Sequence, residues 1–464
     1  MSWCLIMAFV SKEDDVMAFM VSTVLTFGSA FLFLLMGRTS DNALSRRDAY
    51  VVVAATWVVF SFFGMFPFLI HGSITNITDA YFETMSGFTT TGATIIDNVE
   101  ALPRGILFWR SLMQWIGGLG IVFFTIAVLP SLVGGSMKVF AAEATGPMRS
   151  KMHPRLSTNA KWIWSIYLLL TLACGLSFWA AGMEWFDATN YSMTTTATGG
   201  FSTHNGSTVF FNSKTIEYLA ILFQFLAGIN FTLLYLSIFK LRLSSVLKNS
   251  EFRLYCITIL VATLWISYLL VTRLHYAYEP AFRSALFQVV SFMTTTGLSN
   301  DNAGMWPHIT WIILGVLMFM GACAGSTTGG FKSVRMAMLL QVLKSEFRHI
   351  LHPSAILPVK LNGQSIPQKN LVSLLAFFTL YIIMLFITAG IMVVSGIDIT
   401  NALTISLSLI SNVGAGLDTN IGPVMSWADL SMGIKWVCSF LMLVGRLEII
   451  AVLVLFTPSF WREN

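Results

Sequence analysis

Four short runs decide how this chain folds: GFTTTGAT at 87–94, TTTATGGF at 194–201, FMTTTGLS at 292–299 and LISNVGAG at 409–416. In each, small polar residues lead to a glycine, and Gly92, Gly199, Gly297 and Gly414 stand 107, 98 and 117 residues apart. Aligned on that glycine, the residue three before it is Thr89, Thr196, Thr294 or Ser411. The residue immediately before it is β-branched: Thr91, Thr198, Thr296 or Val413. Each run follows about ten residues, too few to cross a bilayer, and lies between long apolar stretches. The repeating unit is therefore helix, short re-entrant helix, extended hairpin, helix. The expected fold is an all-α polytopic membrane protein with four such pseudo-symmetric repeats around a central pore. Their expected limits are 48–135, 136–247, 248–350 and 351–464, after an N-terminal region, 1–47, that carries one extra helix. Close packing of small residues between helices explains one such run, but not four at matching places.

Composition points the same way. Of 464 residues 56% are hydrophobic and only 11% charged, with a mean hydropathy of +0.74. A soluble chain is about a quarter charged, which excludes a water-soluble enzyme. Apolar runs at 16–36, 50–70, 105–131, 161–182, 215–239, 254–274, 308–322, 370–395 and 434–457 each read as one helix. The connections at 37–48, 132–161, 240–253 and 332–369, with the C-terminal tail, carry 19 Lys and Arg against 6 Asp and Glu. The remaining connections, with the KEDD at 12–15, carry 7 against 15, so the first set is cytoplasmic. The net charge of +5 is thus a signature of topology and not of nucleic-acid binding. Cys4, Cys174, Cys256, Cys323 and Cys438 have no paired spacing, and neither a disulfide framework nor a zinc site is expected. The apolar stretch Met1 to Val10 covers half the hydrocarbon thickness and makes a poor signal peptide; it reads as a truncated first helix.

Backbone that is neither helical nor paired is tolerated at membrane depth only where it is buried in protein or lines a cavity. Four hairpins around one axis would turn carbonyl oxygens inward, and rings of carbonyls replace the hydration shell of an alkali cation, as in filters built from TVGYG loops. Glycine lets the backbone alternate in handedness so that successive carbonyls face one side, and the β-branched neighbour stiffens the other half of that alternation. The short helices aim their negative ends at the cavity. This chemistry needs no titratable side chain, and the four runs hold none.

With QWIGGLGI at 114–121, GFSTHNGS at 200–207, GACAGSTTGGFKSVR at 321–335 and GRLEIIAVLVLFTPSFWRE at 445–463, these hairpins make the chain resemble the membrane subunits of the Trk/Ktr/HKT superfamily of potassium transporters. The likeness is greatest to the bacterial TrkH type and runs from Val16 to the end. The resemblance places the ion-binding carbonyls on Thr90, Thr91 and Gly92, on Ala197, Thr198 and Gly199, on Thr295, Thr296 and Gly297, and on Asn412, Val413 and Gly414. Only the last hairpin keeps a second glycine, Gly416, where the others have Thr94, Phe201 and Ser299; fewer outer sites and looser discrimination against sodium are expected. The resemblance further implies K+ as the transported ion, taken up across the bacterial inner membrane by a multi-pass protein. It implies a homodimer that docks, through the basic loops at 132–161, 240–253 and 332–369, on cytosolic regulatory nucleotide-binding subunits of the TrkA type, with no nucleotide in this chain.

The resemblance implies that two further features lie below the filter. The stretch from Gly321 to Gly330 is rich in glycine, each costing a helix up to about 1 kcal/mol, and is expected to unwind. It approximates a phosphate loop, but Phe331 stands where the lysine belongs. Close helix packing remains the alternative; the resemblance implies an intramembrane gating loop, with Gly321, Gly325, Gly329 and Gly330 in it. Arg446 falls near the middle of the last apolar run, where a cation costs at least about 2.5–3.5 kcal/mol, so it faces water or a partner. Glu448, two positions on, does not share its helix face. By resemblance Arg446 points into the pore as part of the gate; the other reading pairs it with a carbonyl of another helix. Gln224 and Asn230 either line the cavity or bond between helices, and Glu346, His349 and His352 are either solvated or a metal cluster.

Potassium uptake down its gradient is the reading these features favour. A proton- or sodium-coupled symporter with the same filter is the alternative, although the hairpins lack the midplane carboxylate or histidine such coupling uses. An intramembrane enzyme is the remote one, because seven scattered histidines supply no nucleophile and base.

Overall fold

Each quarter of the chain builds the same three-helix unit. The outer helices are Arg46–Gly64, Leu156–Ala180, Ser250–Leu274 and Gln368–Val394. The pore helices are Ile77–Phe88, Trp185–Thr196, Tyr278–Met293 and Ile399–Ile410. The inner helices are Arg104–Gly118, Lys214–Ala227, His308–Met320 and Met432–Arg446. The computed structural model describes residues 1–11, 13–38, 45–120, 156–241, 243–354, 358–417 and 426–462. Residues 121–131 of the apolar run 105–131 and most of the basic loop 132–161 lie outside them.

Three pore helices have 12 residues and one has 16, or about 18–24 Å of helix at 1.5 Å per residue, so none crosses a hydrocarbon layer of about 30 Å. Their starts are set by local chemistry. Asn76 and Asp398 accept bonds from Thr78 N and Thr400 N, and Asp79, Asp187 and Glu279 sit in the first turns. Acidic groups there complement the positive end of the helix dipole and leave the negative ends pointing inward.

Packing closes the four units into a ring. Each outer helix packs on its own pore helix, and each inner helix packs on its own pore helix and on that of the next repeat. The last inner helix, Met432–Arg446, completes the cycle against the first pore helix, Ile77–Phe88. Residues Ser2–Ser11 form a helix that lies against Val16–Met36 and the first inner helix, with Cys4 and Ala8 buried.

Two apolar runs read as single helices are broken. The run 215–239 bends by 105° between Ala227 and Phe231, and 434–457 bends by 116° between Arg446 and Ile449. Together with the Gly321–Lys332 loop, and with the end of the first inner helix at Leu119 and Gly120 (φ +92°), they form one pattern: every inner helix stops at a glycine or beside one. Hydropathy reads across such breaks because the flanking residues stay apolar.

Candidate functional site: the four hairpins and the loop beneath them

The chain leaves each pore helix in the same way. The residue after the cap is left-handed, and the next residue returns its N–H to the helix: Thr91 to Ser86 O, Gly199 to Thr194 O, Thr296 to Ser291 O and Val413 to Ser408 O, at 2.8–2.9 Å. Two positions in each hairpin have positive φ: Thr90 and Gly92, Thr198 and Gly200, Thr295 and Gly297, Asn412 and Gly414, all between 54° and 81°. The residue between each pair keeps the ordinary hand, which is the alternation a row of inward carbonyls requires.

This geometry corrects the alignment of the second hairpin by one residue. Gly200, not Gly199, takes the place of Gly92, Gly297 and Gly414, and Gly199 stands where Thr91, Thr296 and Val413 stand. Ala197, and not Thr196, then corresponds to Thr89, Thr294 and Ser411 as the residue that caps the pore helix. The second hairpin therefore has a glycine where a β-branched residue was expected.

The hairpins interlock around an axis. A Cβ built on Gly92 would overlap the carbonyl oxygen of Gly199, one on Gly200 that of Thr296, one on Gly297 that of Val413, and one on Gly414 that of Thr91. Each glycine thus lies against a carbonyl of the neighbouring hairpin, from first to second to third to fourth and back to first. The four runs meet, and a side chain at any of the four glycines would both strain the backbone and displace an oxygen of the ring.

Charged groups brace this ring from behind, and sequence reasoning missed them. Glu83 of the first pore helix is fully buried; it pairs with Arg110 at 2.9 Å and accepts from Thr94 Oγ1 at 3.0 Å and Ile95 N at 3.0 Å. Arg110 also donates to Ser202 O at 3.1 Å and lies over the Phe201 ring, so one ion pair ties the first hairpin to the second. The corresponding side chains of two other pore helices do this work without charge: Tyr191 OH donates to Ser207 O at 2.9 Å, and Gln288 donates to Ser299 Oγ at 2.9 Å. Lys435 of the last inner helix reaches Asp79 of the first pore helix at 2.7 Å. Opposite charges at one depth in helices predicted to be neighbours were the available signal.

The Gly321–Lys332 loop is unwound as expected and lies directly under the hairpins. Thr327 Oγ1 donates to Thr196 O at 3.1 Å, Gly329 N donates to Thr295 Oγ1 at 2.8 Å, and Gly329 abuts the carbonyl of Ser411. The loop is held by the broken second inner helix, through Cys323 N to Gly228 O at 3.1 Å, Phe231 N to Gly325 O at 3.0 Å and Asn230 Nδ2 to Ala324 O at 2.6 Å. Glu251 accepts from Ala324 N at 2.5 Å. Gly321, Gly325 and Gly330 have positive φ, and so does Lys332, whose ammonium donates back to Thr328 O.

Arg446 is not at mid-helix but ends the last inner helix, where a cation complements the negative end of the dipole. It donates to Thr327 O at 2.8 Å, Gly117 O at 2.8 Å and Gly118 O at 2.6 Å, joining the loop to the end of the first inner helix. Arg446 thus pairs with carbonyl groups of two other elements. Glu448 turns away to Arg335, at 2.6 Å. Asn230 bonds between elements as one of its two readings held, whereas Gln224 is buried with neither amide atom paired. Glu346, His349 and His352 are exposed, and no group of three or more His, Cys, Asp or Glu among the described residues is placed to hold a metal.

Against known proteins, the family model described as TrkH, cation transport protein, matches residues 16–463. The Trk system potassium uptake protein TrkH of Halomonas elongata is 37% identical, over 96% of this chain and 92% of its own length. The protein of the same name from Escherichia coli is 36% identical, over 92% of this chain and 88% of its own. The crystal structure of the potassium transporter TrkH from Vibrio parahaemolyticus superposes with a TM-score of 0.88 at 33% identity, covering 99% of this chain and 95% of that one.

Proposed function

The chain belongs to the TrkH family of cation transport proteins, a family of transporters and not of enzymes, and from that premise we propose that it takes potassium into the cell through the passage its four hairpins enclose. The observation that carries this reading is the closed cycle in which each hairpin glycine meets a carbonyl of the next. The oxygens that take over the ion's hydration belong to Thr90, Thr91 and Gly92, to Thr198, Gly199 and Gly200, to Thr295, Thr296 and Gly297, and to Asn412, Val413 and Gly414. An inside-negative potential draws each cation inward with about 2.3 kcal/mol per 100 mV, so uptake needs no second ion.

In this reading the Gly321–Lys332 loop is the gate, which its bonds to the second and third hairpins support. Arg446 adds a fixed positive charge under the hairpins and locks the loop to two inner helices; opening requires those bonds to break. Control comes from outside the chain. The relatives are named as proteins of a Trk system, which supports the presence of further components. In this reading the chain is a homodimer in the bacterial inner membrane that docks, through the basic loops, on cytosolic TrkA-type nucleotide-binding subunits.

Growth on limiting potassium, with and without Gly297→Ser, tests the filter. The wild type should rescue a strain that lacks its own uptake systems, and the variant should fail or admit sodium. Equal growth with unchanged preference for potassium would sink the assignment. In vesicles, uptake driven by voltage alone separates this reading from a proton- or sodium-coupled one.

A further inference from the structure

The second hairpin differs from the others in a way that its backbone does not explain. Gly199 has the ordinary hand, so its conformation does not call for glycine. Space does: a Cβ there would collide with the amide of Gln114, 2.5 Å from Oε1 and 2.8 Å from Nε2. Gln114 comes from the first inner helix, is fully buried, and holds the hairpin twice. Its Nε2 donates to Gly199 O at 2.7 Å, and its Oε1 accepts from Phe201 N at 3.0 Å.

In the other hairpins a β-branched residue, Thr91, Thr296 or Val413, stands at the Gly199 position. Thr89 and Thr91 share a hydroxyl bond at 2.8 Å, as do Thr294 and Thr296. In the fourth hairpin Val413, a buried β-branched residue, stands at the Gly199 position, and Ser411 bonds Tyr381 OH at 2.6 Å. The second hairpin has Ala197 and Gly199 at these two positions and so no hydroxyl at either. The oxygen that Gln114 contacts is the one lying against Gly92 in the ring, and an N–H on that oxygen both fixes its direction and draws on its electron density.

We propose that Gln114 is a selectivity-determining positioning residue, a side chain lent by the first repeat to the second hairpin, which holds the Gly199 carbonyl in the ring and sets its strength toward the ion. Discrimination among alkali cations depends on the number and field strength of the coordinating carbonyls, so an oxygen freed from Gln114 should admit sodium more readily. The inference rests on the filter reading above.

The test is the potassium-to-sodium permeability ratio of the full-length protein in vesicles, a quantity independent of how much protein inserts. Gln114→Leu keeps the bulk and removes both bonds; the ratio should fall about tenfold, the factor that one ordinary hydrogen bond supplies. Gly199→Ala, which forces the amide aside, should lower it similarly. The double variant Gln114→Ala/Gly199→Thr gives the second hairpin the β-branched residue of the others and should recover most of the loss. A wild-type ratio in Gln114→Leu, or a double variant no better than the worse single one, overturns the proposal. Gly297→Ser serves as the control: if it too keeps the wild-type ratio, the filter reading has failed, and if it alone loses selectivity, only the role of Gln114 has.

Discussion

Glu83 and Arg110 show how much one pair of side chains can hold in this molecule. With side chains 0% and 2% exposed they are removed from water, and the cost is offset only because every contact is made: carboxylate to guanidinium, to the Thr94 hydroxyl and to the Ile95 amide. Glu83→Gln should therefore destabilise by about 3–5 kcal/mol, the usual cost of leaving one buried charge uncompensated. Glu83→Leu/Arg110→Met should lose less than either single change, as thermal unfolding in detergent would show; additive losses would mean that the two act separately. At this scale the sequence was legible where chemistry is local and ambiguous where it is not. The TGG of 198–200 offers two glycines, one required by backbone hand and one by the bulk of Gln114, 85 residues away in the chain. Composition cannot distinguish those causes, and the alignment slipped by one residue there. The three other hairpins have a single glycine at that point and were read in register.

Among the elements, the broken inner helices matter most. The third break announces itself with a dense run of small residues. The second and fourth are marked only by the Gly228–Asn230 and Gly445–Glu448 turns inside apolar sequence, and the chain reads through them. What makes the second break stable is tertiary: Gly228 O and the Phe231 amide, freed from their helix, bond the loop of the third repeat. The loop is in turn fastened by a small set of hydrogen bonds, so its equilibrium is open to small changes. Asn230→Ala removes the bond to Ala324 O, and Thr327→Val removes the bond to Thr196 O. Each should favour the open loop by about 1 kcal/mol, a several-fold rise in flux, with the permeability ratio unchanged. A changed ratio with constant flux would place these residues in the filter instead of the gate.

For the molecule as a whole, the proposed filter would set four groups of carbonyl dipoles head to head, an arrangement that repels itself when no cation lies between them. A bound ion should therefore stabilise the entire ring. Melting in potassium chloride should exceed melting in choline chloride of equal ionic strength, by about 2.7 kcal/mol when the salt is a hundredfold above its dissociation constant. Gly297→Ser should lose most of that difference; equal melting of the wild type in both salts would show that no ion sits there.

The packing of the last inner helix on the first pore helix has a further consequence, for biogenesis. Gly414 meets Thr91 only after the three repeats' worth of chain between them has been made, and Lys435 reaches Asp79 later still. Until then the earliest-made quarter waits in the lipid with a carboxylate and a row of peptide oxygens unpartnered. A chain stopped before Met432 would leave that side permanently open, and the cell's membrane proteases would be expected to recognise it.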